Sequence, residues 1–359
     1  MVIKTEAFQK NQKLISHLWN KNEGVYGGIY FDFVNKVAYL NMGTNKMDIK
    51  GKAKFPFEFS GNAPENFFVE SSKFLSLVSL YDELEYDIEK ESFFNGKDKF
   101  KIESITPIDE VDTSMFDNTT EAKLSFTEDQ VSLLKKAKQF TTNVPEANPV
   151  FKTIFSTGND IFSMFDNQLF QANTNIPEMK MNNEAFDIIM ILGTDSKFGF
   201  YDNFIIIENE GVTSVVPNNQ AIEAPPINTP QFVESYSHNT YFSLGKDEIQ
   251  NIIKFLEMYY KENDSKNNTL HFLKEKDEDE LKIESITTKD SILRTINFID
   301  TNISEMDFYV DALKLKLAVS TIEAPVIKFK WCADKYAIET IGIVGNEETN
   351  YHIIFSYMR

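Results

Sequence analysis

One six-residue motif occurs twice in this chain, and it constrains the architecture more than any other sequence feature. The segment FKIESITP begins at residue 100 and LKIESITT at residue 281, so the identical KIESIT cores lie 181 residues apart. An amphipathic stretch, a strand-like run and a polar turn precede each copy. The predicted unit is therefore a helix followed by hairpin strands, and at about 60 residues per unit the chain holds six.

Six stretches with apolar residues at helical spacing fit this unit. The third begins with Thr127, Glu128 and Asp129, which suit an N-cap and an acidic first turn. The pairs Phe68-Val69, Asp187-Ile188 and Tyr309-Val310 are interpreted as openings of the second, fourth and sixth helices, and their spacing of about 120 residues predicts three domains of two units each. The predicted helices cover residues 6–21, 71–81, 127–140, 183–192, 246–261 and 309–320.

The segments between these helices are rich in Ile, Val, Phe and Tyr and are interrupted by Gly, Asn and Asp, which is typical of strands. A Pro-rich stretch at residues 218–230 predicts the connector into the last domain, and an acidic loop at 109–120 predicts the first boundary. The predicted class is α+β: three tandem domains at 1–118, 119–229 and 230–359, each with two helices packed on antiparallel sheets. The alternative is chance recurrence of short apolar motifs in a strand-rich protein.

The charge of the chain is unevenly distributed. The net charge is -19, but the six predicted helices with their flanks sum to +3, which leaves -22 for the remainder. Only Arg294 and Arg359 are arginines, and this disfavours base-specific DNA readout while permitting lysine contacts to phosphate. The alternative for each lysine is an ordinary solvated side chain. The segregation of charge is expected if the helices face phosphate, and in that case the DNA-facing residues are Lys10, Lys13, Lys73, Lys135, Lys136, Lys138, Lys254, Lys314 and Lys316.

Three such domains resemble the bacterial beta-type DNA polymerase sliding clamp along the whole chain. The family's domain-one ending, a Gly in a turn before a strand of form F-x-[LI], is similar to Gly96, Phe100 and Ile102 here. A family strand turn through Asp-Gly resembles residues 164–173, MFDNQLFQAN, with Asp166 kept and Asn167 where Gly is usual. The apolar chain end, IIFSYMR, also fits the family.

The resemblance implies a non-catalytic processivity factor that encircles duplex DNA without sequence specificity and tethers the replicative polymerase. Two chains would join head to tail, each forming half of a ring. The implied ring interface places Phe100 and Ile102 of one chain against the end of the fifth helix of the other, at Met258, Tyr259 and Tyr260. The alternative is that these residues belong to the core of their own domain.

The resemblance also implies an apolar groove that accepts short peptide motifs from the polymerase and the clamp loader. A basic residue often stands in the family's strand turn, but Gln168 or Leu169 takes its place here, so we expect a different preferred peptide. The alternative is a plain strand pair with a frayed end. The implied groove residues are Asp166, Gln168, Leu169, Phe170, Phe355, Tyr357 and Met358.

Catalytic motifs are not found in the sequence: there is no Gly-rich phosphate loop, HExxH or nucleophile elbow. Cys332 is the only cysteine and the four histidines are scattered, so we expect no metal site, cofactor or intramolecular disulfide. No long apolar segment is present, which predicts a cytoplasmic protein of a bacterial cell or phage-infected bacterium. The competing hypothesis is an acidic, strand-rich viral structural or protein-binding module that does not encircle DNA.

Overall fold

The computed structural model describes residues 1–43, 50–117, 122–144, 146–219, 221–224, 233, 235, 239–260, 269–276, 278–286, 291–332 and 335–358. Within these residues the α-helices are α1 (Glu6–Lys10), α2 (Gln12–Leu18), α3 (Ser71–Val78), α4 (Glu128–Lys138), α5 (Asn183–Leu192), α6 (Lys246–Tyr260) and α7 (Ala312–Thr321). Short 3₁₀ helices cover Lys21–Gly27, Ser114–Phe116 and Pro149–Lys152.

The strands fall into two groups along the chain. Those up to residue 173 are β1 (Val2–Lys4), β2 (Ile29–Asp32), β3 (Val37–Leu40), β4 (Lys52–Pro56), β5 (Phe59–Ser60), β6 (Phe67–Val69), β7 (Glu83–Asp87), β8 (Ser92–Asn95), β9 (Asp98–Phe100), β10 (Ser104–Ile105), β11 (Thr153–Ser156), β12 (Asp160–Phe165) and β13 (Gln168–Asn173). The later strands are β14 (Met179–Asn182), β15 (Lys197–Tyr201), β16 (Phe204–Asn209), β17 (Val212–Pro217), β18 (Tyr241–Gly245), β19 (Thr269–Lys274), β20 (Glu280–Ile286), β21 (Ser291–Asn297), β22 (Asp300–Thr301), β23 (Met306–Asp311), β24 (Val326–Cys332), β25 (Ala337–Val344) and β26 (Glu347–Met358).

The element order repeats a helix followed by three strands six times. In the second copy, β6 leads into α3 and then β7, β8 and β9; in the last, β23 leads into α7 and then β24, β25 and β26. The first copy has its helix divided into α1 and α2. The predicted sixfold repeat and the α+β class are confirmed.

The two KIESIT motifs do not occupy equivalent strands. Residues 282–286 lie in β20, the second strand of the fifth copy, whereas Ser104 and Ile105 of the first motif form β10, beyond the third strand of the second copy. An additional hairpin therefore separates α3 from its motif. The predicted number of repeats is right, but the two copies of the motif that suggested it lie in strands that are not equivalent within their repeats.

The predicted start of the sixth helix is also wrong. Tyr309 and Val310 end strand β23, and α7 begins at Ala312. Asp311 is the N-cap, because its carboxylate accepts hydrogen bonds from the backbone N–H groups of Leu313 at 2.8 Å and Lys314 at 3.2 Å. Asp187 and Ile188, by contrast, lie inside α5. The spacing of about 120 residues was therefore measured between residues that are not equivalent in their repeats.

The chain divides into two compact units. Unit 1 contains residues 1–128 and 181–221, and unit 2 contains residues 129–180 and 222–359. The predicted middle domain is thus shared between them, and the three domain boundaries stay a prediction. Sheet pairing explains why unit 1 contains two separate chain segments, since β17 of the second segment pairs antiparallel with β4 of the first, with Thr213 opposite Lys54.

Unit 1 has two sheets, in the orders β5-β1-β7-β8-β9 and β10-β6-β2-β3-β4-β17-β16-β15. Its core is aromatic: the Phe8 ring lies 5.1 Å from Phe74 and 5.4 Å from both Phe31 and Phe55, measured between centroids. Such edge-to-face and tilted contacts add to the apolar area that the rings bury. α1 is thereby fixed against the sheet and α3.

Unit 2 is organised around the C-terminal strand. β26 pairs with β13, β25 and β23, and the sheet continues through β19, β20 and β21. Under the helices, the Phe170 ring stacks on Phe140 at 5.6 Å and on Tyr351 at 5.9 Å. Buried residues on the opposite face, including Phe155, Phe162 and Leu169, form a second apolar cluster.

Candidate functional site

A tight hairpin turn forms one wall of a pocket in unit 2. Asp166 and Asn167 connect β12 to β13 with φ angles of 51° and 58°, the left-handed conformation that two-residue hairpin turns require at both central positions. Short polar side chains adopt this conformation more readily than other non-glycine residues. Asn167 therefore adopts the left-handed conformation for which the sequence resemblance led us to expect glycine.

The C-terminal strand β26 pairs with the hairpin strand β13 and lines the same pocket. Gln168 lies opposite Phe355 and Leu169 opposite Ile354 in the β13–β26 register, and the backbone N–H of Ser356 donates to the Asn167 carbonyl oxygen at 3.3 Å. The pocket beside these strands has a volume of about 680 Å³. It is lined by Phe151, Met164, Phe165, Asp166, Asn167, Gln168, Leu169, Lys335, Tyr336, Ala337, Ile354, Phe355 and Ser356.

The lining is mainly apolar with a few polar groups at the rim, the composition of sites that bind small ligands or peptide side chains. Leu169, Ala337 and Ile354 also belong to the apolar cluster on this face of the sheet. The pocket floor is therefore continuous with packed core, which holds its shape.

Four of the seven predicted groove residues line this pocket: Asp166, Gln168, Leu169 and Phe355. Phe170 does not, because alternation along β13 directs its ring into the helix-facing core, where its exposed fraction is 0%. Tyr357 is buried against Phe308, with ring centroids 5.0 Å apart. Met358 is 52% exposed at the end of β26 and does not line the pocket.

Sequence reasoning missed Phe151, Met164, Lys335 and Tyr336, which also line the pocket. Tyr336 has a positive φ of 51°, and its carbonyl oxygen accepts a hydrogen bond from the Tyr357 N–H at 3.0 Å. Met164 could have been found from strand alternation, since it lies opposite Leu169 in the β12–β13 hairpin. Tyr336 and Lys335 are far from the hairpin in sequence and carry no such signal.

The predicted DNA-facing lysines differ in their surroundings. Six are exposed: Lys10, Lys13, Lys73, Lys135, Lys254 and Lys316. Lys138 and Lys314 are half-buried, and Lys136 is buried. The three exposed lysines without a carboxylate ion-pair partner among the described residues are Lys13, Lys135 and Lys254.

Carboxylates partly neutralise the other helix lysines. Lys10 lies 2.5 Å from Glu210, and Lys73 lies 2.8 Å from Glu70. The hydrogen bond from Lys73 lowers the pKa of Glu70 and raises the pKa of Lys73. On α5, Glu184 contacts His17 of α2 at 2.5 Å, so this carboxylate has a partner within unit 1.

The predicted ring-interface residues on unit 1 lie at a sheet edge. Phe100 is in β9, which pairs with β8 on one side only within the described sheet, and its half-exposed ring is 5.5 Å from that of Tyr81. Ile102 follows β9 and is buried. The side chains of Met258, Tyr259 and Tyr260 lie outside the described residues.

The described residues contain no group of three or more His, Cys, Asp or Glu side chains arranged to hold a metal ion. No helix among them has the length and apolar character needed to span a membrane.

Comparison with solved structures gives a consistent result over the full chain. A Pseudomonas aeruginosa DNA polymerase sliding clamp with ligand superimposes with a TM-score of 0.77 at 10% identity, covering 100% of this chain and 99% of that one. A Helicobacter pylori beta clamp bound to a DNA ligase peptide gives 0.73 at 14% identity, with 100% of both chains covered. This chain has the bacterial sliding-clamp fold.

A Bacillus subtilis sliding clamp shows the same fold, with a TM-score of 0.75 at 10% identity, 100% of this chain and 98% of that chain covered. No family model and no curated protein matches the sequence. Since the match covers the whole chain, all six helix-and-strand copies are accounted for by the sliding-clamp fold.

Proposed function

We propose that this chain is a DNA sliding clamp, a non-catalytic processivity factor that encircles duplex DNA and tethers the replicative DNA polymerase in the cytoplasm of a bacterial cell or phage-infected bacterium. The observation that carries the proposal is the full-length match to sliding clamps, which includes every copy of the repeat.

Retention on DNA would be topological. A closed ring cannot leave a circular duplex without opening, so weak contacts from lysines such as Lys13, Lys135 and Lys254 suffice. Point-charge contacts to phosphate carry no sequence information and weaken as salt rises. The scarcity of arginine fits a protein that slides and does not read bases.

The pocket beside the β12–β13 hairpin is the proposed docking site for short peptide motifs of the polymerase and the clamp loader. The H. pylori clamp was solved with a DNA ligase peptide, which shows that a protein of this fold accepts a peptide ligand. An apolar floor with Asp166 and Lys335 at the rim suits an apolar anchor fixed by polar contacts.

Ring closure is proposed to join two copies head to tail. β9 of unit 1 and β21 of unit 2 are each terminal strands in their described sheets. Terminal strands present unpaired backbone groups, and pairing β9 of one copy with β21 of the next would satisfy them. Twofold repetition of this contact closes a dimer, and a filament does not form.

The decisive experiment compares circular and linear DNA. The protein is loaded on nicked plasmid with ATP and its cognate clamp loader, separated from free protein by gel filtration, and then treated with a restriction enzyme that cuts once. We expect retention on the circle and loss after cutting. Equal retention on both forms would contradict encirclement.

A further inference from the structure

Unit 1 contains a second pocket, about 320 Å³ in volume. Its apolar lining comes from Ala7 of α1, Val212 of β17 and the β4 segment around Phe55 and Phe57. Lys4, Glu6, Lys10, Glu58 and Glu210 surround it.

The turn beside this pocket is equivalent to the turn beside the unit 2 pocket. Glu210 and Gly211 form the β16–β17 turn with φ angles of 46° and 83°, as Asp166 and Asn167 do between β12 and β13. In both cases the turn connects the second and third strands of a repeat copy, and its first residue is acidic. The turn carboxylate also contacts a helix lysine in both: Glu210 with Lys10 at 2.5 Å and Asp166 with Lys314 at 3.6 Å.

The strand pairing is equivalent as well. β13 pairs with β26, the third strand of the sixth copy, and β17 pairs with β4, the third strand of the first copy. Phe355 lies opposite the first residue of β13, and Phe55 lies one position beyond the Thr213–Lys54 pair, beside Val212. Repeat symmetry therefore places an equivalent turn and strand pair beside each pocket, although α1 lines the unit 1 pocket and no described α7 residue lines the unit 2 pocket.

Charge distinguishes the two pockets. The ionisable residues that line the unit 2 pocket, Asp166 and Lys335, carry opposite charges, so the net charge of its lining is zero. Around the unit 1 pocket three carboxylates face two ammonium groups; Lys4 pairs with Glu58 at 2.8 Å and Lys10 pairs with Glu210. Glu6 is left as an exposed carboxylate with no ion pair among the described residues.

We propose that the unit 1 pocket is a second peptide-binding site, selective for a segment with one apolar anchor side chain next to a lysine or arginine. The smaller volume suits a single anchor, and Glu6 would receive the cationic neighbour. This site does not depend on DNA encirclement, so it can be tested separately from the proposed clamp function.

Methyl NMR can report on both pockets in one titration, with Val212 as the reporter for unit 1 and Leu169 for unit 2. The probes are the N-acetylated, amidated peptides Gly-Lys-Leu-Gly-Gly and Gly-Glu-Leu-Gly-Gly. We expect the lysine peptide to shift the Val212 signals saturably and to bind about fivefold more tightly than the glutamate peptide, the scale of one exposed ion pair.

Two variants locate the binding. Glu6→Gln should abolish the preference for the lysine peptide. Ala7→Leu should fill the pocket and remove the Val212 response, while the Leu169 signals and the far-UV circular dichroism stay as in the parent protein; leucine is well tolerated in a helix. An unshifted Val212 up to the peptide solubility limit, equal affinity for both peptides, or full binding by Ala7→Leu would each overturn the proposal.

Discussion

Lys136 Nζ lies 3.0 Å from Glu323 Oε2, and the lysine side chain is only 8% exposed. The same ammonium group lies 5.5 Å from the centroid of the Tyr351 ring. Lys135, its neighbour on α4, is exposed. Successive helix positions point about 100° apart, so adjacent lysines with the same charge have different roles. Lys136 stabilises unit 2 and is left out of the proposed phosphate contacts.

The pair Lys135→Met and Lys136→Met tests this distinction. We expect Lys135→Met to weaken binding to a labelled 30-base-pair duplex and to reduce the slope of log affinity against log salt by about 0.9, the value for one lost phosphate contact. Lys136→Met should leave that slope unchanged, since the side chain is buried. Fluorescence anisotropy between 50 and 200 mM salt gives both slopes, and Lys276→Met, in the exposed β19–β20 turn, is the control. A reduced slope for Lys136→Met would contradict the assignment.

Local patterns predicted the helices well because each buries one apolar stripe. α5 matches its predicted range of 183–192, and α3 lies within 71–81. The position of each strand within its repeat was harder to predict. KIESIT has the alternating apolar residues that many strands share, so an identical motif can occupy different positions in two copies. Residues 309–311 were predicted to be the start of the sixth helix, but they are the last residues of strand β23. The strand runs directly into the helix through its N-cap, Asp311, so the sequence shows no break between the two elements.

The candidate site was only half predictable. Asp166 and Gln168 were named because residues 164–173 resemble the family's strand turn, and the structure places a two-residue hairpin turn there. Phe170 was named with them as a consecutive strand residue, although alternation directs neighbours to opposite faces. Tyr336 is brought in by a backbone hydrogen bond to Tyr357, a tertiary contact without any sequence pattern. The second pocket was missed because its frame is visible only through strand pairing.

A hydrogen bond from β13 to a helix should contribute to the stability of unit 2. Gln168 Nε2 donates to the backbone carbonyl oxygen of Lys314 at 3.2 Å. Gln168→Leu removes this donor, and we expect the free energy of unfolding to fall by about 1 kcal/mol, the net contribution of one such bond. Urea denaturation measures the change. Gln12→Leu, exposed on α2, should behave as the parent protein.

The stability of unit 1 should depend on pH through Glu208. Burial raises the pKa of this β16 carboxyl, with Lys54 and Lys197 opposing the shift. A raised folded-state pKa means that the native state binds the proton more tightly, so this contribution to stability is present at low pH and is lost as pH rises through the folded pKa. We therefore expect Glu208→Gln to raise the free energy of unfolding at pH 7 but not at pH 3. Urea denaturation at both pH values tests this, and an equal gain at both would refute it.

The two outer strands of one sheet allow a matched test of ring closure. In the order β5-β1-β7-β8-β9, Phe100 lies in β9 and Phe59 in β5, and both rings are half-exposed. If β9 pairs with a second copy, Phe100→Ser removes apolar area from that interface and should raise the dimer dissociation constant about four- to tenfold, since the ring is half-exposed and burying a whole Phe side chain contributes about 1.5–3 kcal/mol. Phe59→Ser loses similar area at the opposite edge and should leave dimerisation unchanged. Sedimentation equilibrium at low micromolar concentration separates these outcomes, and equal weakening by both variants would show that the effect is one of folding and not of the β9 edge.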